Sequence, residues 1–399
     1  MKESPIKKPK LIAAGLVVAD ADSPPLKDGA VLVDGGRIAA VGPRAELMAA
    51  AKEAELVDCG DSVLIPGLVD AHNHLSLDVS LDNYLAKMND RESELTLRAV
   101  RTMAVDLAAG VTTSRCMGDR FFLDVVCRQA VAEGRLTGPR LVVATRGIRA
   151  SHGHGFVGLP FDGVEAIRSA VRENLKAGAD LIKFYVTGTL RDKEFIPCFL
   201  SPEEIAVIAD EAKRAGVKTA VHCIGGRGLE YCLKAGIDSI EHGYFLTDRE
   251  IDMLLKSPAW LVLTPGEFLA DKPTLAPERR EAFRRQRDEV KARLAAIISS
   301  GVRYAVGTDG AHGQLAKELE YIVAAGATPA QALKAATLHG AMVCGLEDKI
   351  GTLAAGKYAD MVALAGDPLA DIRAVGQVRM VFKAGELVSE SLGGGGYDG

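Results

Sequence analysis

Histidines and acidic residues follow several short apolar segments of this sequence, and these are residue types that bind metal ions. His72 and His74 are separated by one residue, directly after the run Gly67–Ala71. If this segment is a β-strand, side chains two residues apart point to the same face, about 7 Å from each other. Two imidazoles in that arrangement can bind one divalent cation, since zinc–nitrogen bonds measure about 2.0–2.1 Å.

Three further apolar segments end in a residue of the same kind. These residues are His222, His242 and Asp309. A single histidine at a strand end is more often a structural residue than a ligand. Four apolar segments that each end in such a residue are harder to explain by packing alone, so together they predict a metal site.

Lys183 is unusual because it lies inside the apolar run Leu181–Val186. A lysine is almost never buried without a partner. One interpretation is an ammonium group that reaches solvent or pairs with a carboxylate, and the other is a carbamate formed with CO2. We favour the carbamate, because it would bridge two metal ions and offset their charge, whereas an ammonium beside metal cations would be repelled.

The order of apolar and amphipathic segments indicates what positions these residues. Residues 66–345 contain eight apolar runs separated by helical patterns. Such strands predict a parallel sheet covered on both sides, and eight of them predict a (β/α)8 TIM barrel, whose catalytic residues lie at the carboxyl ends of the strands. The runs are Gly67–Ala71, Val111–Cys116, Arg140–Ala144, Leu181–Val186, Lys218–Val221, Ile237–Ile240, Trp260–Leu263 and Arg303–Val306.

Both ends of the chain show a shorter β pattern. Residues 1–65 and 346–391 contain short strands with polar turns, which predict a small β-sandwich built from both chain ends, followed by a disordered tail over 392–399. The basic residues before Leu11–Ala19 also resemble a short signal peptide. The turn signal at 34–36, between two strand-like runs, instead favours a first β-strand and a hairpin.

The composition is that of a folded protein and excludes several classes. The 399 residues are 48% apolar and 25% charged with a net charge of −5, which excludes bulk disorder and argues against a dedicated nucleic-acid binder. No segment is apolar over the roughly 18 residues that a membrane span needs. The seven cysteines form no C-x-x-C pair, which indicates reduced thiols and a cytoplasmic protein.

Two segments resemble signatures of the amidohydrolase superfamily, namely Val63–His74 and Gly351–Asp360. With Lys183 and the other ligand candidates, the chain resembles the binuclear subtype that has a carboxylated lysine, and the resemblance covers nearly the whole sequence. It implies two divalent metal ions, with zinc expected. The implied ligands are His72, His74 and Asp309 for one ion, His222 and His242 for the other, and carboxylated Lys183 as the bridge.

Within that superfamily the chain is most similar to the branch of Xaa-Pro dipeptidase-like and ochratoxin-hydrolysing amidases. This similarity implies that His154 contacts the substrate carbonyl and that Arg227 binds a substrate carboxylate. Tyr185 and Tyr244 lie near the ends of their strands and are expected to line the pocket. Ile224 stands where this branch usually has a tyrosine, a departure in the substrate pocket that leaves the metal ligands unchanged.

These residues predict a hydrolase that cleaves an amide C–N bond, peptide-like or N-acyl-amino-acid-like, by attack of a metal-bound hydroxide. Asp309 is expected to take the proton of the attacking water and return it to the leaving nitrogen. One alternative is a deaminase, or a ring-opening or carbamate hydrolase of an N-heterocyclic or urea-type compound, against which Lys183 argues. A non-catalytic scaffold should have lost ligands. We expect a small-molecule substrate, no nucleic-acid or membrane partner, and a homo-oligomer by analogy.

Overall fold

The computed structural model describes residues 8–155, 158–190 and 195–390 of the chain. The predicted tail at 392–399 therefore lies outside the described residues. Within the described ranges, no helix combines the length and the apolar composition needed to cross a membrane.

The secondary structure alternates strands and helices through the middle of the chain and has strands at both ends. The strands are β1 (Lys10–Val17), β2 (Leu26–Asp34), β3 (Arg37–Pro43), β4 (Glu55–Asp58), β5 (Val63–Pro66), β6 (Leu68–Asn73), β7 (Val111–Cys116), β8 (Arg140–Val143), β9 (Gly147–Arg149), β10 (Gly158–Pro160), β11 (Leu181–Tyr185), β12 (Lys218–Cys223), β13 (Ser239–His242), β14 (Trp260–Leu263), β15 (Tyr304–Val306), β16 (Met361–Leu364), β17 (Val378–Lys383) and β18 (Glu386–Glu390). The α-helices are α1 (Arg44–Ala50), α2 (Tyr84–Lys87), α3 (Glu92–Ala108), α4 (Leu123–Ala132), α5 (Val164–Ala177), α6 (Pro202–Ala215), α7 (Arg227–Ala235), α8 (Asp248–Leu255), α9 (Gly266–Leu269), α10 (Pro277–Ser300), α11 (Leu315–Ala324), α12 (Pro329–Ala335) and α13 (Leu338–Cys344).

Strands from the two chain ends form one β-domain, as the sequence predicted. They are hydrogen-bonded into a single sheet in the order β18-β17-β16-β5-β1-β2-β3, with β4 beside part of β1. Apolar side chains from both ends, including Ile12, Leu64 and Phe382, share one core. The strand interpretation of the N-terminal apolar stretch is confirmed by β1. The β2–β3 turn has positive φ at both Gly35 and Gly36, as a two-residue hairpin turn requires.

Eight parallel strand positions form the predicted barrel. One sheet has the order β6-β7-β8 and the other has β9-β11-β12-β13-β14-β15, with β10 beside β9. The third barrel strand is interrupted, because β8 ends at Val143 and β9 resumes beside β11. The barrel closes where the N–H groups of Thr308 and Asp309 donate to the carbonyl of His72 at 3.0 and 2.8 Å. Gly307 permits this close approach, since a Cβ there would lie 2.3 Å from the His72 nitrogen.

One barrel strand lies about two residues later in the chain than the sequence predicted. The sixth barrel strand was predicted at Ile237–Ile240, but β13 runs from Ser239 to His242. Ile237 instead follows α7 and closes its last turn. Gly236, the first residue after the helix, has a φ of 77°, and the Ile237 N–H donates to the Cys232 carbonyl. This is the glycine-ended helix stop that is usually followed by an apolar residue. His242 is therefore the last residue of its strand.

The helices that cover the barrel begin and end at recognisable capping residues. Ser201 and Glu204 form a reciprocal capping box at the start of α6, and Thr247 and Glu250 do the same for α8. Such caps satisfy backbone donors that the first turn leaves unpaired. Fixed helix starts hold the preceding strand–helix loops, which carry the candidate site.

Candidate active site

The carboxyl ends of the barrel strands surround a cavity of about 70 Å³. Most of the residues predicted from the sequence line this cavity, although they come from distant parts of the chain. Those lining residues are His72, His74, His154, Lys183, Tyr185, His222, His242 and Asp309. The fold therefore brings together all six predicted metal ligands, as well as His154 and Tyr185.

His72, His74 and Asp309 form the tightest cluster. Their ligand atoms all lie within 4.8 Å of one another. The Nε2 atoms of the two histidines are 3.4 and 3.3 Å from Oδ1 of Asp309. The Nδ1 atom of His74 donates to the carbonyl of Gly118 at 2.6 Å, and that of His72 to Glu241 at 2.7 Å. Each Nε2 therefore keeps its lone pair toward the cavity, as a metal ligand requires.

His222 and His242 lie beside this cluster. Their ring centroids are 4.4 Å apart, and the His242 ring is 4.7 Å from that of His72. Nε2 of His222 donates to the carbonyl of Gly188 at 3.2 Å, and Nδ1 of His242 is 2.7 Å from the hydroxyl of Thr264. Burial holds the pKa of both histidines well below the usual range, so both rings are neutral and each has a second nitrogen available.

Lys183 is fully buried in the wall of the same cavity. Its Nζ has no hydrogen-bond partner among the described residues and lies 5.1 Å from the centre of the Tyr185 ring. Burial, opposed by the carboxylates of Glu241 and Asp309, lowers the pKa of Lys183 to about 8. The Tyr185 hydroxyl is likewise buried without a partner in the described chain. Two polar groups that face one cavity are thus left unsatisfied, which is rare in folded proteins.

His154 occupies the side of the cavity next to the second histidine pair. Its ring centroid is 4.5 Å from that of His222, and its Nε2 is 3.1 Å from the hydroxyl of Thr189. Burial, partly opposed by Asp309, lowers the pKa of His154 to about 4. The ring is therefore neutral near pH 7 and can donate a hydrogen bond without carrying a charge.

Backbone geometry is unusual at two of the ligand positions. His242 has a φ of 78° and Asp309 a φ of 51°, both in the left-handed region. Non-glycine residues in that region are uncommon and concentrate at functional sites, where the surrounding fold holds them in place. His242 is the last residue of β13, and Asp309 lies three residues after the end of β15. Both side chains line the cavity.

Two predicted substrate contacts do not reach the cavity. Arg227 begins α7 and lines a separate surface depression together with Phe245 and Glu250. The Tyr244 hydroxyl is 2.6 Å from that of Thr264, and the Tyr244 ring stacks on His242 with centroids 5.2 Å apart. The hydrogen bond to Thr264 turns Tyr244 away from the cavity, and the start of α7 directs Arg227 to the surface. As substrate contacts, both stay predictions without a place in this cavity.

Sequence reasoning missed the buried pair beneath the metal ligands. Oε1 of Glu241 accepts hydrogen bonds from Arg115 at 3.1 Å and from Ser239 at 2.6 Å, while Oε2 binds His72. Arg115 is 1% exposed and Glu241 is fully buried. Both strands are buried along their whole length, and each carries one of these charged residues, Arg115 in β7 and Glu241 in β13.

Two charged residues of the loop after β14 were also missed. Glu267 in α9 and Arg279 in α10 line the cavity. Glu267 forms an ion pair with Lys272 at 2.6 Å. They were missed because the amino-acid pattern of this segment does not show which of its side chains face the cavity.

Comparisons with known proteins agree with this arrangement. Residues 63–388 match the profile described as Amidohydrolase family, and residues 29–51 match that of the imidazolonepropionase-like composite domain of bacteria. The ochratoxinase of Aspergillus niger is 29% identical over 420 residues, spanning 95% of this chain and 86% of that protein. The 5-methylthioadenosine/S-adenosylhomocysteine deaminase of Moorella thermoacetica is 27% identical, over 88% of this chain and 85% of the deaminase.

Solved structures show the same relationship. The crystal structure of the Aspergillus niger ochratoxinase superposes with a TM-score of 0.84 at 27% identity and covers 96% of each chain. A Xaa-Pro dipeptidase with methionine bound in its active site also superposes with a TM-score of 0.84 at 27% identity, over 96% of this chain and all of that one. The resemblance to the amidohydrolase superfamily and to its prolidase and ochratoxinase branch is confirmed. The chain belongs to the amidohydrolase family, in the branch of prolidases and ochratoxinase, and is a hydrolase that acts on C–N bonds.

Proposed function

We propose that the protein cleaves an amide bond of a peptide-like or N-acyl-amino-acid-like small molecule at a centre of two divalent metal ions. The observation that carries this proposal is the convergence of four histidines, Asp309 and the unpaired amine of Lys183 on one cavity. The similarity to ochratoxinase and to a dipeptidase that binds an amino acid in its active site supports an amide substrate.

The donor set of the cavity fits such a centre. His72, His74 and Asp309 would hold one ion, and His222 and His242 would hold the other. Imidazole nitrogens and a carboxylate suit zinc, manganese or cobalt, and zinc is the expected metal. When bound, the ions supply Lewis acidity for a carbonyl group and lower the pKa of water.

Lys183 supports a centre of two ions rather than one. Its amine is fully buried without a hydrogen-bond partner among the described residues, and an unsatisfied buried amine is costly. Addition of CO2 to the neutral amine forms an N–C bond and releases one proton, so the side chain becomes an anionic carbamate. The carbamate would replace the unpaired buried amine by an anionic group, and its two oxygens would be available to bind the two ions.

The remaining side chains can move and donate protons. Asp309 faces His72 and His74 through Oδ1, which leaves Oδ2 to take the proton of the attacking water and deliver it to the leaving nitrogen. Protonation of the nitrogen matters because an amide anion is a poor leaving group. His154 and Tyr185 both line the cavity, and the Tyr185 hydroxyl has no hydrogen-bond partner among the described residues. Both side chains would donate hydrogen bonds to the substrate carbonyl.

The test is metal content combined with a substrate panel. The purified protein should contain about two divalent ions per chain and should release amine from N-acyl amino acids or dipeptides. A content of one ion, with activity only on N-heterocycles, would favour the deaminase or ring-opening alternative, for which the similarity to the Moorella thermoacetica deaminase is the specific observation. Cleavage of carbamates or ureas alone would exclude the amide assignment. A chain that binds no metal would contradict the proposal altogether.

A further inference from the structure

We propose that Arg279 binds a carboxylate group of the substrate, so that the enzyme selects amides with a free carboxylate over neutral amides. Arg279 is the third residue of α10 and lines the same cavity as the six ligand candidates. The inference rests on the proposed amide hydrolysis, and it names the class of substrate that the site accepts.

The guanidinium of Arg279 has no counter-ion within the described part of the chain. Its Nε is buried and lacks a hydrogen-bond partner, and the side chain makes no ion pair with any described residue. The ring of Phe283 lies beneath it, 6.0 Å from the guanidinium carbon. A cation held over an aromatic ring beside a cavity, with an unsatisfied N–H group, is prepared to bind an anion.

The other charged groups on this wall already neutralise each other. Glu267 and Lys272 form an ion pair at 2.6 Å, and their side chains are 14% and 12% exposed. Within the described residues, Arg279 is therefore the cation of this segment that lines the cavity without an ion-pair partner. Guanidinium groups match carboxylates with two parallel hydrogen bonds, which gives both affinity and orientation.

The position expected from the family resemblance for carboxylate binding is not available to this cavity. Arg227 lines a separate depression, and Ile224 is fully buried in an apolar cluster with Tyr84 and Phe245. Anion recognition would thus move from the loop after β12 to the segment after β14. The resemblance of the sequence to its branch implies Arg227 as the carboxylate-binding residue, whereas this proposal assigns that role to Arg279.

The apolar lining of the cavity indicates what the rest of the substrate resembles. It comes from the segment after β6 and consists of Leu77, Val79, Leu85 and Met88. An apolar wall favours burial of an aliphatic or aromatic group. The favoured substrate would therefore combine an amide, a carboxylate that contacts Arg279 and an apolar side chain.

A matched pair of substrates tests this with the metal-loaded protein. N-acetyl-leucine carries a carboxylate, and N-acetyl-3-methylbutylamine is the same amide without it. Arg279→Gln should raise KM for N-acetyl-leucine on the order of 10- to 100-fold, the loss expected for a charge-assisted hydrogen-bond pair, and should leave the neutral amide nearly unchanged. Arg279→Lys, which keeps the charge, should recover part of the loss. Arg280→Gln removes the adjacent exposed arginine and should change neither substrate.

Equal losses on both substrates would show that Arg279 only stabilises the structure, and an unchanged KM for N-acetyl-leucine would overturn the proposal. Calorimetric titration separates this result from failure of the proposed function. If the parent protein binds N-acetyl-leucine without cleaving it and Arg279→Gln weakens that binding, the carboxylate site stands and amide hydrolysis of this compound does not. If neither protein binds N-acetyl-leucine, or both bind it equally, the site is refuted.

Discussion

Nδ1 of His72 donates a 2.7 Å hydrogen bond to Oε2 of Glu241, a carboxylate that is fully buried inside the barrel. The other oxygen of this carboxylate accepts from Arg115 and Ser239. Burial would raise the pKa of Glu241, but Arg115 and His72 outweigh it and hold the pKa at about 2. The Glu241 carboxylate therefore stays charged at neutral pH and fixes His72 with Nε2 toward Asp309.

Replacing Glu241 by glutamine should weaken metal binding and activity, each on the order of 10- to 100-fold, as for other partners of metal-binding histidines. Glutamine keeps the size of the side chain but has one acceptor oxygen instead of two and no charge. Either His72 or the Arg115–Ser239 pair therefore loses its acceptor, and Arg115 loses its buried counter-ion. Competition with a chromogenic chelator measures metal affinity, and initial rates measure catalysis.

The matched control is Glu230→Gln, which breaks an ion pair with Arg249, whose side chain is 76% exposed. Exposed ion pairs contribute little, so this control should bind metal and turn over substrate normally. Unchanged metal affinity in Glu241→Gln would mean that the hydrogen bond to His72 has no role in metal binding.

Lys183→Ala should leave about one metal ion per chain and abolish activity, because alanine cannot form the bridging carbamate. Elemental analysis measures the metal content, and native mass spectrometry should show one CO2 adduct on the parent protein that is missing from the variant. Lys213→Ala, which alters an exposed position of α6, should retain both metals and activity. Full activity of Lys183→Ala would exclude a bridging role.

His154→Gln should keep both metal ions and lower kcat on the order of 100-fold or more, the contribution of a positioned acid or hydrogen-bond donor. His152 belongs to the same loop, is exposed and packs only edge-on against Phe199 among the ring contacts described for it. His152→Gln therefore serves as the control and should behave as the parent protein. Loss of metal from His154→Gln would instead identify His154 as a ligand.

The positions of the ligand candidates could be predicted because the barrel itself brings them together. Apolar runs fixed where the strands end, and parallel strands in a closed barrel place all their carboxyl ends at one face. Asp309 and His72 illustrate this, since they are distant in sequence and are joined by the backbone bond that closes the barrel. One predicted strand was shifted by two residues, which did not affect the identity of the ligands.

The missed residues depend on geometry that strand order does not determine. The contact of Arg115 with Glu241 crosses the barrel interior. It depends on which residues of β7 and β13 face each other there, although these two strands are not neighbours in a sheet. Arg227 and Arg279 both lie in the first turn of a helix that follows a barrel strand, but of the two only Arg279 lines the cavity. The conformation of the loop before each helix determines which arginine reaches the cavity. That conformation cannot be inferred from the periodicity of the sequence.

His312 joins two loops at the edge of the site, and its charge should make stability depend on pH. Nδ1 donates to Asp106 and Nε2 donates to the carbonyl of Leu77, both at 2.8 Å. A histidine that donates from both nitrogens is protonated. Burial alone would lower the pKa of His312, but Asp106 and the two hydrogen bonds outweigh it and raise the pKa to about 9.

The raised pKa of His312 defines the pH range over which its stabilising effect is lost. A histidine in the unfolded chain titrates near pH 6.5, so the stabilisation by His312 is complete below about pH 6.5 and is lost as the pH rises through about 9. His312→Gln should therefore lower the melting temperature most at the acidic end of this window, by an amount that corresponds to about 1–3 kcal/mol, and progressively less toward the basic end.

His339→Gln is the matched control. Burial lowers the pKa of His339, whose Nδ1 donates to the carbonyl of Tyr304. His339 is therefore neutral across the same window, and the destabilisation by its variant should not change with pH. Melting curves of both variants and the parent protein, recorded at one metal concentration from below pH 6.5 to above 9, decide the matter. A His312→Gln penalty that stays constant over this range would show that the imidazole is neutral in the folded protein and that Asp106 does not hold its proton.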